Sequence, residues 1–583
     1  MTEKILVCVA WPYANGRVHL GHVAGAYLPP DVFARYHRLK GNDVLHVTGS
    51  DTHGTPITIR AEEEGITPGE VVDRYHTDQV EAFQKLGITF DLYTHTDTEN
   101  HWAVTTDMFV TLLENGYIYR DTQRGLYCAD CDKWLPDRYV EGTCPHCHAE
   151  DARGDQCDAC GRTLDAVELL VPQCKLCGAT PGIRETEHFF LDLGKANAPL
   201  LEWTAEGKEH WRPNVANFTR QVLESGELRG RPITRDISWG IPVPVEGFED
   251  KRIYVWFDAV IGYLAASKEW AKIVGQEEKW REWWQDEAAR SYYFIGKDNI
   301  TFHTIIWPAM LHGYGGLNLP YDVPSNEYLN VEGRKLSKSR RWMIETLDYL
   351  SRYDPDPLRY YLTINAPEAK DVNFTWEDFC RRNNDELVAT WGNLANRMLS
   401  FAHKRYGEVP QPGALDDVDR GILDAATGAF DTVGKLLEAC KFKAALTEIM
   451  ALAHEANRYL DDKAPWLQIK ENPQAAATAV YVILKVIDSL KTLLTPFLPF
   501  TCQRLHEYLG YEGSIIGRIE TETFQEETRA HLAIRYDASE LQGTWAPSDL
   551  KPGQALNKPK PLFVKLDEDI VDEEMDRMMA ASQ

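Results

Sequence analysis

The sequence predicts an α/β chain with a small cysteine-rich insertion and a helical C-terminal half. Three observations predict it. Short apolar runs alternate with amphipathic stretches near the start, cysteines and turns dominate from Gly116 to Gly182, and 3–4 apolar spacing prevails from Asn383 to Tyr508. At 583 residues the chain is too long for one hydrophobic core, and three or four compact units are expected at roughly 100–200 residues each. Apolar residues at 44% and charged residues at 26% exclude a disordered, collagen-like or coiled-coil chain. Lys and Arg number 62 against 89 Asp and Glu, a net charge of −27, which disfavours unselective polyanion binding but leaves local basic sites open.

Ile5–Ala10 reads as a buried first strand, Leu20–Leu39 as a helix and Val44–Thr48 as a second strand before the loop Gly49-Ser50-Asp51. This is the grammar of a parallel sheet. Pro29-Pro30 is expected to kink or interrupt the helix. The run Ile5–Trp11 has no small-residue cleavage site, and no stretch approaches ~18 consecutive apolar residues, so a cytoplasmic chain without membrane contact is expected. The α/β pattern returns at Ile253–Asp258 and Tyr292–Gly296. Leu387-Val388, Trp391, Leu394-Ala395 and Met398 mark one helix face, and Ala444–Leu460 and Ala475–Leu494 behave alike. Beyond about Pro547 the tail is polar, ends acidic and reads as a solvated segment.

No G-x-x-x-x-G-K-[ST] loop occurs, nor a clean G-x-G-x-x-G after a strand. His19-Leu20-Gly21-His22 instead sits between the first strand and a helix, at the carboxyl edge where doubly wound sheets bind ligands. Two imidazoles three residues apart can donate to an anion, and Gly21 lets a phosphate or base approach the backbone. From these four residues alone, a helix cap or a metal pair stays open. Lys335-Leu336-Ser337-Lys338-Ser339 with Arg340-Arg341 supplies four cations in seven residues, suited to neutralising charge at a phosphorus under attack. Standing alone, it also reads as a solvated basic turn.

Eight of twelve cysteines form Cys-x-x-Cys pairs, 128/131, 144/147, 157/160 and 174/177, the spacing with which two thiolates chelate one Zn²⁺. Spacing leaves the pairing of knuckles open. Cys8, Cys380, Cys440 and Cys502 lie in apolar surroundings and read as core. Asp51, at a strand end, is the carboxylate suited to a substrate ammonium.

In this order and so far apart, the histidine and lysine strings resemble the paired signatures of the class I aminoacyl-tRNA synthetases. Four finer strings narrow the resemblance to the methionyl-tRNA synthetase family: Ala10-Trp11-Pro12-Tyr13-Ala14-Asn15-Gly16, Gly49-Ser50-Asp51-Thr52-His53-Gly54, Arg235-Asp236-Ile237-Ser238-Trp239-Gly240-Ile241-Pro242 and Trp256-Phe257-Asp258-Ala259-Val260-Ile261-Gly262-Tyr263. It runs from residue 4 to about residue 510. A Leu, Ile or Val enzyme would need a large editing insertion for which the chain has no room.

The resemblance implies a Rossmann-type parallel-sheet catalytic domain, interrupted by a zinc-knuckle insertion and followed by an α-helical anticodon-binding bundle. The implied boundaries are 1–115 and 231–325 for the catalytic halves, 116–230 for the insertion, 326–382 for a linking domain, 383–546 for the bundle and 547–583 for a tail. ATP-Mg²⁺, L-methionine and tRNA(Met) are the implied substrates. Two structural zincs are implied in a nested arrangement, one on Cys144, Cys147, Cys157 and Cys160, the other on Cys128, Cys131, Cys174 and Cys177. His146 and His148 would be spectators. His19, His22, Lys335 and Lys338 would be catalytic, joined around ATP by Gly21, Asp298 and Ser337. Methionine would lie among Ala10, Trp11, Tyr13, Asp51, Trp256, Ala259, Val260, Tyr263, His303 and Trp307, while Asn393, Arg397 and Trp466 would read the anticodon. Arg341 departs from the family, which often carries glycine there. Too little chain follows the helices for the tRNA-binding barrel that dimerises some members, so a monomer is expected. Two rival readings, a catalytically silent relative and a zinc-dependent nucleic-acid binder, predict no methionine-dependent pyrophosphate exchange.

Overall fold

The structure, a computed structural model, describes residues 2–154, 157, 159, 160, 162, 164–337 and 341–582. Five parallel strands, β1 (Lys4–Val9), β2 (Asp43–Ser50), β3 (Leu92–His95), β4 (Arg290–Gly296) and β5 (Ser325–Asn326), form a sheet in the order β5-β4-β1-β2-β3. β1 is apolar throughout after Lys4 because both its faces are covered. Ile5, Val7 and Val9 pack with Val32 and Phe33 of helix α1 (Leu28–Leu39), while Leu6 and Cys8 pack with Ile261 and Leu264 from the other side. The expected helix Leu20–Leu39 is divided. One turn spans Leu20–His22, a wider π turn spans Val23–Tyr27, and α1 then begins with both prolines in its first turn, where a missing N–H costs nothing.

Helix α2 (Glu99–Glu114) follows β3, and helix α3 (Val255–Ile273) precedes β4. Within the run Ile253–Asp258, Ile253 ends a short strand paired with Thr234, and Val255 opens α3. Between α2 and α3, Ile118–Cys128 and Gly182–Leu191 pair antiparallel as a stalk carrying the cysteine lobe. The lobe's own core is little more than Leu126, Leu135, Tyr139, Val140, Leu169 and buried cysteines.

Helix α4 (Pro355–Ile364) joins the sheet to the bundle, formed by α5 (Asn393–Arg405), α6 (Asp417–Glu438), α7 (Phe442–Lys463) and α8 (Pro473–Leu494). The stretch 383–546 is not helical to its end. β6 (Arg518–Gln525) and β7 (Ala530–Asp537) form a hairpin, and β7 pairs antiparallel with β3 through Ile534 and Tyr93, extending the five-stranded sheet to seven strands. The tail is likewise more than a solvated segment. Leu550, Leu556, Leu562 and Phe563 are buried, and helix α9 (Asp569–Ser582) buries Glu574 and Met578. Glu574 accepts from Arg352 Nε and Nη2 and from the Tyr353 hydroxyl, each at 2.8–2.9 Å, which explains how an acidic helix docks. No described helix is long and apolar enough to cross a membrane.

Candidate active site

The histidine and lysine strings meet. His19 bridges antiparallel to Glu345, Leu20 N donates to Ile344 O at 3.0 Å and Thr346 N to Val18 O at 2.9 Å. The chain just past the basic loop is thus stitched to the segment that caps the turn Leu20–His22 with His19. Gly21 lies beneath Leu336, so closely that a Cβ there would stand 2.4 Å from Leu336 Cδ1. The His19 and His22 rings stack at 3.6 Å, and His19 N donates to His22 Nδ1 at 3.2 Å. Both rings, Gly21, Asp298, Lys335 and Ser337 line one cavity of about 1390 Å³. Asp298 accepts from the Tyr328 hydroxyl. Lys338, Ser339 and Arg340 lie outside the described residues. Arg341 has φ +50°, the left-handed region that favours glycine, and the neighbouring Trp342 anchors it through Nε1 to Val331 O at 3.0 Å.

The same cavity has an apolar end lined by Ala10, Trp11, Tyr13, Trp256, Ala259, Val260, Tyr263 and His303. The Trp11 indole fills a slot between two glycines, since a Cβ at Gly49 or Gly262 would approach it to 2.3 or 2.6 Å. Burial pushes His303 down to about 4, so it is neutral. Its Nδ1 donates to Asn299 O at 2.9 Å, because a carbonyl only accepts, and Nε2 accepts from the Tyr263 hydroxyl at 2.7 Å. Trp307 does not line the cavity. It is fully buried behind Tyr263, 6.4 Å between ring centroids, with Nε1 on the Tyr293 hydroxyl.

Asp51 sits at the cavity's edge, held by Asp51 N to Pro12 O and Ala14 N to Asp51 O, both 2.8 Å. Around it runs an alternating row of charges that the motifs alone do not disclose. His53 Nδ1 lies 2.8 Å from Asp258 and Nε2 lies 3.6 Å from Asp97, which Arg529 Nη1 meets at 2.5 Å. Burial alone would lower His53, but Asp258 and Asp97 outweigh it and raise it to about 10. Burial and the charge of Asp258 push Asp51 upward, opposed by His53. Of these carboxylates only Asp51 lines the cavity, and a cation placed beside it there would favour its charged form.

In the insertion the sulfurs of Cys128, Cys131, Cys174 and Cys177 lie within 4.8 Å of one another, as do those of Cys144, Cys147, Cys157 and Cys160. The pairs Cys128–Cys177 and Cys147–Cys157 stand at 3.5 Å, Cys131–Cys174 and Cys144–Cys160 at 3.9 Å. Disulfides require ~2.05 Å. Four thiolates at ~2.3 Å around a tetrahedral metal stand ~3.8 Å apart, so both sets fit a zinc ion. His146 and His148 belong to neither set. In the bundle, Asn393 and Arg397 are exposed one turn apart on α5, and the Arg397 guanidinium lies 3.8 Å from the Trp466 ring centroid.

Residues 5–399 match the family described as tRNA synthetases class I (M), and residues 409–533 the anticodon binding domain of methionyl tRNA ligase. The methionine–tRNA ligases of Thermomicrobium roseum and a Roseiflexus species are each 56% identical to the chain, covering all of it and 100% and 99% of their own lengths. Mycobacterium tuberculosis methionyl-tRNA synthetase in complex with methionyl-adenylate superposes with a TM-score of 0.75 at 25% identity, over 97% of this chain and 100% of that one.

Proposed function

The chain belongs to the class I methionyl-tRNA synthetases, and from that premise we propose how its residues share the two steps of methionine–tRNA ligation. The ligase activates L-methionine with ATP to methionyl-adenylate and transfers the methionyl group to the 3′ adenosine of tRNA(Met). The observation that carries the assignment of roles is the single cavity in which the stacked histidines, Lys335 and Asp51 converge.

In the first step the methionine carboxylate attacks the α-phosphorus of ATP-Mg²⁺ and pyrophosphate leaves. Asp51, at the cavity's edge, takes the substrate ammonium, and that cation favours its charged form. Trp11, Tyr13, Trp256 and Tyr263 wall the thioether, with sulfur–aromatic contacts of about 0.3–1.5 kcal/mol each. His303, neutral and pinned by Asn299, orients the Tyr263 hydroxyl. His19 and His22 hold the phosphates, Gly21 lets the nucleotide approach, Asp298 orients the ribose, and Lys335, Ser337 and Lys338 answer charge developing at phosphorus. No covalent enzyme nucleophile is needed, because orientation and preorganised charge carry the rate.

In the second step a groove leads the tRNA 3′ end inward. It is lined by the exposed Arg124, Arg229 and Arg231 and shares Trp256, Asp298 and Lys335 with the cavity. Arg397 and Trp466 offer a guanidinium and an indole on which anticodon bases stack, with Asn393 reading an edge. Each cysteine set holds a structural Zn²⁺ that fastens the lobe. Thiolate ligands need a reducing compartment, which favours the cytoplasm. Every residue invoked lies in one chain, so a monomer suffices.

The test is ATP–pyrophosphate exchange across a panel of amino acids. Exchange should depend on methionine and fall about 100-fold in Lys335→Ala, the size of a lost transition-state contact. Exchange that is absent, or indifferent to methionine, would refute the assignment.

A further inference from the structure

Behind the methionine pocket lies a polar row whose far end neither step uses, and it begins on the hairpin rather than on the catalytic motifs. The turn between β6 and β7 is locked onto the start of α2 by two exchanged caps. The Glu526 carboxylate accepts from Glu99 N at 3.0 Å and Asn100 N at 3.3 Å. In return, the Glu99 carboxylate accepts from Glu527 N at 3.1 Å and Thr528 N at 2.6 Å. These caps fix where Arg529 points. Its Nη1 meets Asp97 Oδ2 at 2.5 Å, and its Nη2 donates to the Asp97 main-chain carbonyl. Asp97 and Asp258 then flank His53 from either ring nitrogen, and His53 N lies 3.4 Å from Asp51 Oδ1.

Two residues beyond Arg529, His531 Nε2 lies 2.8 Å from Glu269, which also accepts from Thr94 Oγ1 at 3.0 Å. Glu269 is on α3, the helix that carries Trp256, Ala259, Val260 and Tyr263. The hairpin therefore grips both carriers of the pocket, the strand-end loop with Asp51 and the helix with the aromatic wall.

We propose that Arg529 is a positioning residue for methionine: by clamping Asp97 it keeps His53 between Asp97 and Asp258, and so holds the Asp51 carboxylate where it meets the substrate ammonium. This rests on the reading of Asp51 as the ammonium acceptor. Without Arg529, Asp97 is a nearly buried carboxylate with His53 as its nearest cation, and it competes with Asp258 for that ring. A small displacement of His53 moves Asp51, and misplacement by ~1 Å is costly to substrate orientation. His19, His22 and Lys335 stand on other elements, so the effect is confined to methionine.

The test uses the full-length chain in ATP–pyrophosphate exchange, with methionine and ATP varied separately. Arg529→Ala should raise KM for methionine about tenfold while KM for ATP stays within about twofold, a coupling of ordinary size for a residue one contact removed. Arg529→Lys should restore most of the loss, because an ammonium can still pair with Asp97. Should Arg529→Ala fail to fold, Asp97→Asn leaves the hairpin in place and should show the same methionine-selective rise. A KM for methionine unchanged in the variant that folds, or KM values for methionine and ATP rising in parallel, would overturn the proposal while leaving the enzyme's reading intact. Absence of exchange in the unaltered chain would refute that reading, and the positioning role with it.

Discussion

His53 is a titratable cation of the ion row behind Asp51. Its folded value near 10 stands above the ordinary imidazole value of ~6.5. A group raised on folding contributes stability that is whole below its unfolded value and lost as pH climbs through its folded value. Stability should therefore decline between about pH 7 and pH 10, as Asp258 and Asp97 lose their buried cation. His53→Gln keeps a hydrogen bond to Asp258 but carries no proton to lose. Its thermal midpoint should start lower and show a flatter slope over that window, measured by calorimetry at matched ionic strength. Parallel slopes in the two proteins would mean that His53 does not titrate as a buried cation. Arg341 shows the opposite tolerance at this scale. A left-handed backbone at a non-glycine residue costs roughly 1–2 kcal/mol, and here the next residue, Trp342, is buried and hydrogen-bonded to Val331.

At the scale of elements, the cysteine lobe is the part that needs help to fold, because its few apolar residues cannot repay the entropy of ordering it. The two sulfur sets share no ligand, so they should empty independently. The full chain should carry two zinc ions, and Cys144→Ser should carry one, counted by metal analysis after gel filtration. Methionine-dependent exchange should persist in Cys144→Ser, since none of the four cysteines of that set lines the cavity. A variant that keeps both ions would break the assignment of ligands. How much of this was legible in sequence depended on range. His19-Leu20-Gly21-His22 and Lys335-Leu336-Ser337 are contiguous strings, and their residues do converge on one cavity. Pro29-Pro30 correctly marked an interruption, although its form, a π turn ahead of them, needs the packed neighbours. The hairpin could not be read, because β6 is mostly exposed and β7 finds its partner in β3, far earlier in the chain. Trp307 was placed in the pocket by the family resemblance, yet a sequence cannot distinguish a wall from the layer behind it. Arg529 carries no local signal, and only the fold brings it to Asp97.

At the scale of the whole molecule, a net charge of −27 is compatible with the proposed tRNA contacts, because those contacts are local. What holds the units together is a buried ion cluster. Arg359 of α4 is fully buried, and its guanidinium reaches two other parts of the chain at once. Nη2 lies 2.6 Å from Asp31 of α1, Nη1 donates to Leu86 O at 3.2 Å, and Nε and Nη2 donate to Phe497 O and Pro496 O at 2.9 Å just past α8. Burial alone would raise Asp31, but Arg35 and Arg359, with Thr89, hold it well below the carboxylate range. A group depressed on folding contributes stability above its unfolded value, and that stability is lost as pH falls through its folded value. Arg359→Met should therefore cost about 3–5 kcal/mol in urea unfolding at neutral pH, the loss expected when one partner of a buried pair is removed. Arg359→Lys should recover little, because an ammonium cannot span carbonyls on two sides of the junction. The deficit should shrink toward low pH, where Asp31 in the unaltered protein takes up its proton and the ion pair no longer distinguishes the two chains. A deficit constant across pH would locate the loss in packing at the junction rather than in the Asp31–Arg359 pair.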